Sequence, residues 1–265
     1  MDIASMSDAC KCMRFVYIKE LYSTKKTIVN AVSFKGYESH GNFVLKSYSK
    51  EKAKLRLFLR EVEIHSQLNH KNIVKLYVAW EGHDSFNMLL ENASHGDMFD
   101  LIYNAPFDIR MNKQFIFEKI LNPLVDAIYY LHSHDIAHTD IKPENVAFDQ
   151  DGRLLLLDFG LAVRLYTDTY EAIFTQEYRA PEVCNGNVDK CKIDPKKLDI
   201  WCLGLLLYEL VAKKCPSHII KNGAKDINIK SKRLAKIIKE CTRTNPDKRP
   251  DIAWIIKLLR CKELS

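Results

Sequence analysis

The segment that most constrains the fold is His138-Thr139-Asp140-Ile141-Lys142-Pro143-Glu144-Asn145, together with Asp158-Phe159-Gly160. Between them stand two short apolar runs, Val146-Ala147-Phe148 and Leu154-Leu155-Leu156-Leu157, separated by Asp149-Gln150-Asp151-Gly152. Apolar runs broken by a turn sequence predict a β-hairpin with one polar cluster at its entrance and another at its exit. A hairpin returns the chain to its starting end, so Asp140, Lys142, Asn145 and Asp158 are expected together at one end of a small sheet. An acid, an amine, an amide and a second acid are the groups needed to hold a divalent cation and move a phosphoryl group. Asp140 alone would read as a turn carboxylate; its company favours chemistry.

Hydrophobic periodicity divides the chain in two. Up to about Glu91, runs such as Phe15-Val16-Tyr17-Ile18, Thr27-Ile28-Val29 and Phe43-Val44-Leu45 read as strands around one helical stretch, Glu51 to Leu68. From about Asp97 the spacing turns helical. Phe115, Phe117, Ile120, Leu121, Leu124, Ile128 and Leu131 recur at three and four, which marks a buried helix face. The expected class is α+β: a sheet-rich part over about 15–91, a hinge at Glu91-Asn92-Ala93, and a larger helical part over about 94–259. Residues 1–14 read as a short N-terminal extension and 260–265 as a C-terminal tail.

At 265 residues and 47% apolar content, the chain can bury a core of its own. No run approaches the ~20 apolar residues of a membrane span. The greasiest stretch, Ile200 to Val211, is interrupted by Gly204 and Glu209 and reads as a core helix. The start, Met1-Asp2-Ile3-Ala4-Ser5, lacks the charged head and apolar centre of a signal peptide, so an intracellular protein without a membrane partner is expected. The eight cysteines include no C-x-x-C pair and are expected as free thiols; Cys10 and Cys12 form a C-x-C whose alternative is a metal or redox role. A net charge of +6 gathers on Lys46 to Lys54 and Lys221 to Lys239. In the second stretch Lys230, Lys232, Arg233, Lys236 and Lys239 flank Leu234, Ile237 and Ile238, an amphipathic helix with a solvated basic face. Direct nucleic-acid binding is the alternative for that face, not the expectation.

The acidic hairpin resembles the catalytic and metal-binding loops of eukaryotic protein kinases, H-R-D-x-K-x-x-N and D-F-G. The resemblance runs from about Phe15 to Leu259. Phe43-Val44-Leu45-Lys46 is similar to the third-strand V-A-I-K, and Arg60-Glu61-Val62-Glu63-Ile64 to the helix that partners that lysine. Ala180-Pro181-Glu182 resembles the close of the activation segment, Asp199-Ile200-Trp201 the opening of the central C-lobe helix, and Arg249 the arginine that pairs with Glu182. The resemblance implies the bilobal protein-kinase fold, with ATP bound between the lobes.

It also implies roles. Asp158 binds the Mg2+ that bridges the β- and γ-phosphates, Asn145 holds a second metal, and Mn2+ can serve instead. Asp140 accepts the proton of the attacking hydroxyl, and Lys142 neutralises charge on the transferred group. Lys46 anchors the α- and β-phosphates, although among neighbouring lysines its other reading is a surface charge. Glu61 and Glu63 point about 200° apart on a helix, so only one can face Lys46; the resemblance favours Glu61. Glu91, Ala93 and Val29 are assigned to the nucleotide in the same way, and Asp97 to its ribose or to substrate arginines.

Two places depart from the family pattern. The phosphate-covering G-x-G-x-x-G is replaced by Leu21-Tyr22-Ser23-Thr24-Lys25-Lys26-Thr27-Ile28-Val29, with no glycine. Gly36 and Gly41 are too near Lys46 to substitute and mark the next turn. Backbone amides of Ser23 to Thr27, with the hydroxyls of Ser23, Thr24 and Thr27, are the expected replacement for phosphate contact. Thr139 stands where the family has an arginine that pairs with a phosphate on the activation loop. Activity independent of phosphorylation at Tyr166, Thr167, Thr169 or Tyr170 is therefore expected.

Lys142 and Thr175 match the serine/threonine pattern, and Thr175 resembles the residue that hydrogen-bonds Asp140 and Lys142. Asp97 and Glu144 match acidic positions that receive arginines in basophilic relatives. The compact plan resembles kinases of large DNA viruses, the baculovirus late kinase among them. That implies arginine-rich nucleic-acid-packaging substrates and a place in the cytoplasm or nucleus of the infected cell. The rival reading is a pseudokinase that binds partners without turnover, motivated by the missing glycines.

Overall fold

Strands β1 (Phe15–Ser23), β2 (Thr27–Phe34), β3 (Phe43–Ser49), β4 (Leu76–Glu81) and β5 (Ser85–Glu91) form one antiparallel sheet, in the order β1-β2-β3-β5-β4. Alternation along β3 sends Leu45 and Lys46 to opposite faces. Leu45 joins Val32 and Leu89 beside Phe15, Phe34, Phe43 and Trp80. On the other face Phe86, Met88 and Ala79 pack against Phe58 of helix α1 (Leu55–His65). The helix is shorter than the expected 51–68. After His65 the amides of Gln67 and Leu68 turn back to the carbonyls of Ile64 and His65, which closes the last turn. β1 is an edge strand, exposed from Val16 to Ser23 and interrupted by two register shifts against β2. Such irregularities blunt an edge against further pairing.

The computed structural model describes residues 15–35, 43–51, 55–105, 112–165, 176–184, 193–216, 219 and 229–261. The chain divides into two compact units, residues 1–94 and 95–265. The second unit is mainly helical, giving the α+β class expected. Among the described residues its α-helices of four residues or more are α2 (Met98–Tyr103), α3 (Asn122–Ser133), α4 (Pro181–Cys184), α5 (Pro195–Ala212), α6 (Lys232–Cys241) and α7 (Ile252–Arg260). The buried face expected around α3 is present, with Ile120, Leu121, Leu124, Ile128 and Leu131 fully buried. The stretch Ile116–Leu121 ahead of it is a π-helix. Pro123, in the first turn of α3, has no amide to donate and its ring would crowd the carbonyl four residues back, so the wider turn relieves it.

α5 is buried on all sides from Leu198 to Leu210, as befits the most apolar stretch of the chain. A Cβ on Gly204 would stand 2.7 Å from Cys241 Cβ and 2.8 Å from Thr242 Cγ2, so glycine is what lets α5 approach the end of α6. The amphipathic α6 buries Leu234, Ile237 and Ile238, while Lys230, Lys232, Lys236 and Lys239 are exposed. Arg233 departs from the expected solvated face. It is half-buried, donates to the carbonyls of Leu259 and Cys261, and lies over the ring of Phe117. No helix among the described residues is long and apolar enough to cross a membrane. Cys10, Cys12, Gly36, Gly41, Tyr166, Thr167, Thr169, Tyr170 and Thr175 lie outside the described residues.

Candidate active site

The expected hairpin consists of β7 (Val146–Phe148) and β8 (Leu154–Leu156), which follow the short β6 (Ile136–Ala137). Val146 pairs with Leu156, Ala147 with Leu155 and Phe148 with Leu154. Its turn is closed by Asp149, whose carboxylate accepts from the amides of Asp151 and Arg153 and from Arg153 Nε. Gly152 supplies the positive φ of 71° that the turn requires. At the open end the Leu157 amide donates to the Asn145 carbonyl at 2.8 Å. That bond sets Asn145 and Asp158 side by side, the juxtaposition the sequence pattern predicts.

Asp140 is the centre of the cluster. Lys142 Nζ lies 2.9 Å from Asp140 Oδ2. Asn145 Nδ2 donates at 2.8 Å both to that oxygen and to the Asp140 carbonyl. Burial pulls the Lys142 pKa down, but the charge of Asp140, its hydrogen bond, and the charges of Glu144 and Asp158 outweigh that and raise it. The ammonium therefore stays charged at neutral pH. Asn145 spends amide hydrogens on Asp140, which leaves its amide oxygen for a cation. With the carboxylate of Asp158 it offers the hard oxygen donors that Mg2+ takes, so the residues present fit that ion.

Asp158 is exposed, while Phe159 next to it is fully buried and packs edge-on against the His138 ring at 5.1 Å. The Asp158 backbone is left-handed, φ 57°, and its Oδ1 accepts from the Gly160 amide at 3.1 Å. Thr139 is also left-handed, φ 63°. For a β-branched residue that conformation costs ~1–2 kcal/mol and must be held from outside.

What holds it is Asp199 of α5, fully buried. Its two oxygens accept from the Thr139 amide at 2.7 Å and the His138 amide at 2.9 Å, and His132 Nε2 lies 2.9 Å away. His138 Nε2 sits 2.8 Å from the Leu157 carbonyl, and the Thr139 hydroxyl donates to the Leu161 carbonyl at 2.7 Å. Sequence reasoning names Asp199 only as a helix landmark. The signal for an anchor was an acid at the head of the most apolar helix.

Within the first unit, Lys46 Nζ is 2.9 Å from Glu61 Oε1, both buried, while Glu63 is exposed. Tyr48 donates to Glu61 Oε2 at 2.5 Å. Sequence reasoning missed Tyr48, although it lies two residues along the strand and so on the same face as Lys46. Val29 is the cross-strand partner of Lys46. Glu91 ends β5 with its Oε2 accepting from the Lys75 amide at 3.1 Å, and Ala93 is half-buried beyond it.

The β1–β2 turn differs from expectation. The Thr24 amide donates to the Thr27 carbonyl at 2.8 Å, and Thr24 Oγ1 accepts from the amides of Lys26 and Thr27 at 3.2 and 3.0 Å. Each amide has one hydrogen to give, so those of Thr24, Lys26 and Thr27 are committed within the turn and are not the phosphate cap expected. Ser23 is exposed at the end of β1.

Asp97 caps α2, accepting from the Asp100 amide at 2.9 Å. Its pKa is raised by desolvation, with Asp100 adding to it against the backbone bonds. The Glu144 pKa is also raised, first by desolvation and then by Glu209 and Asp97, against Lys142. Glu209 is buried and accepts from Tyr103 at 2.6 Å and Tyr178 at 2.5 Å, a third acid the sequence reading did not pick out. Arg249 grips Glu182 with two bonds of 2.6 Å and lies over the Trp201 ring at 4.7 Å.

Fold and site together define a protein kinase domain. Residues 30–259 match the protein kinase domain family, and the chain belongs to it. It is 34% identical to NUAK family SNF1-like kinase 2 of Rattus norvegicus over 189 residues, which covers 69% of this chain and 29% of that protein. It is 32% identical to the Aurora kinase of Encephalitozoon cuniculi over 194 residues, 72% of this chain and 67% of that protein. To the serine/threonine-protein kinase cds1 of Schizosaccharomyces pombe it is 32% identical over 222 residues, 76% of this chain and 47% of that protein. The family match begins at Asn30, beyond the β1–β2 turn.

Proposed function

We propose that the chain is an ATP-dependent serine/threonine protein kinase. The observation that carries this is Asp140 Oδ2 held by Lys142 and Asn145 on the same hairpin end as Asp158. Asp140 orients the substrate hydroxyl and takes its proton, and Lys142 offsets the charge that develops on the transferred group. Asn145 and Asp158 would hold Mg2+, which when bound would supply charge neutralisation for phosphate. Lys46, fixed by Glu61, anchors phosphate. Incubating the protein with labelled ATP, Mg2+ and basic, acidic and neutral proteins tests the assignment. Turnover lost in both Asp140→Asn and Asp158→Asn supports it, and label incorporation unaffected by both refutes it.

The finer parts belong to the same proposal. Substrates are basic, because Glu144 lies within electrostatic reach of Asp97 and Glu209, and a partly desolvated carboxylate takes a bidentate bond from arginine. Activity needs no phosphate at Thr167, Thr169 or Tyr170, because Thr139 offers no cationic partner for one. Thr175 is assigned to the contact with Asp140 and Lys142 on resemblance alone, as are the compact viral type and arginine-rich packaging proteins as partners. The free cysteines at 184, 202, 215, 241 and 261 suit a reducing compartment, cytoplasm or nucleus. One observation favours a pseudokinase instead, the self-satisfied β1–β2 turn. Absence of turnover with intact ATP binding would select it.

A further inference from the structure

We propose that the Thr139 hydroxyl is a positioning latch, which ties the loop carrying Asp140 to the loop carrying Asp158 without any modification. Its kinetic consequence rests on the kinase reading above; its structural consequence does not. Thr139 precedes Asp140 and is 3% exposed, and its Oγ1 donates to the Leu161 carbonyl at 2.7 Å. Leu161 closes a short segment that begins at Asp158. Within and just beyond that segment Gly160 donates to Asp158 Oδ1 and Ala162 to the Phe159 carbonyl, each at 3.1 Å. Phe159 is fully buried, so its end of the segment is already fixed by packing. Leu161 is where the segment is tied to the catalytic loop by a side chain.

The backbone sharpens the inference. With φ at 63°, glycine would suit position 139 better than a β-branched residue. Glycine has no hydroxyl. The residue present bears a conformational cost and supplies a hydroxyl that reaches Leu161, while Asp199 holds its amide in place. The tie is neutral and made within the chain, so it forms on folding and needs no phosphate.

The test compares Thr139→Val, which keeps shape and branching but loses the donor, with Thr139→Ser, which keeps the donor. Hydrogen exchange of the full chain, read over residues 158–163, should rise at least about tenfold in the valine variant and stay near wild type in the serine variant. Exchange in α5 and α6 should not change. Turnover should fall at least about tenfold in valine with the peptide KM within about twofold, and serine should restore it, because the loss is one of placement. If valine does not fold, Thr139→Gly, which accepts the backbone angle, takes its place. Unchanged exchange over 158–163, an increase spread equally through α5 and α6, or equal impairment by valine and serine overturns the latch. A wild-type protein without turnover refutes the kinase reading, and exchange alone then decides the latch.

Discussion

The turn between β1 and β2 and the loop around Asp140 are both short, polar and free of glycine, yet they are built in opposite ways. The turn closes on itself: Thr24 accepts two of its amides, and Ser23 to Lys26 are all exposed. The loop adds to its internal bonds of Lys142 and Asn145 to Asp140 a set made to its surroundings, with amides on Asp199 and a hydroxyl on Leu161. A segment that satisfies its own polar groups needs no neighbours and offers them little. One with two left-handed non-glycine residues nearby, Thr139 and Asp158, persists only where the rest of the fold over-determines it. Well-placed chemistry belongs to the second kind.

The comparison breaks most visibly at Asp140. Asp140→Asn should lower turnover by about 10²–10⁴-fold while ATP affinity, measured by calorimetry, stays within about twofold. Equal loss of ATP affinity would mean that Asp140 serves the nucleotide.

Anchoring comes next. Asp199→Asn leaves two buried amides facing a group that no longer accepts from both, and should cost about 3–5 kcal/mol in denaturant unfolding. An unchanged midpoint would show that the loop holds itself, as the turn does. In the first unit Glu61→Gln removes the opposite charge beside the buried Lys46. It should cost about 3 kcal/mol and raise the KM for ATP, whereas a variant of wild-type stability would make the pair a surface feature.

Smaller effects sharpen the contrast. Thr24→Ala removes an exposed hydrogen-bond acceptor of the turn, so ATP KM should change less than about threefold and stability by about 0.5–1 kcal/mol. A tenfold KM change would return the turn to phosphate binding. Glu144→Gln gives the smallest shift. The folded-state pKa of Glu144 is raised, so its ionised form destabilises the fold above that pKa and not below the unfolded value. The variant should therefore melt slightly higher than wild type at pH 7, and the gap should close as the pH falls through the carboxylate range. A gap that widens on acidification contradicts the sign.

Much was legible in the sequence because its signals are local. The hairpin, the core helix α5 and the apolar face before and within α3 follow from spacing alone, and that spacing led to the α+β class observed. The end of α1 at His65, the π-turn at Ile116–Leu121 and the half-burial of Arg233 were not legible, since each depends on neighbours the local pattern does not contain.

By itself, then, the sequence determined which groups come to one hairpin end, because two short apolar runs joined by a turn bring the chain back to where it started. Tertiary structure decided which of those groups are held, and by what. Asp199 reaches back across the chain to His138 and Thr139, Tyr178 and Tyr103 meet on Glu209, and Arg249 finds Glu182. Such partners are set by how helices pack around α5, where a buried charge or phenol must find its complement wherever the fold puts one.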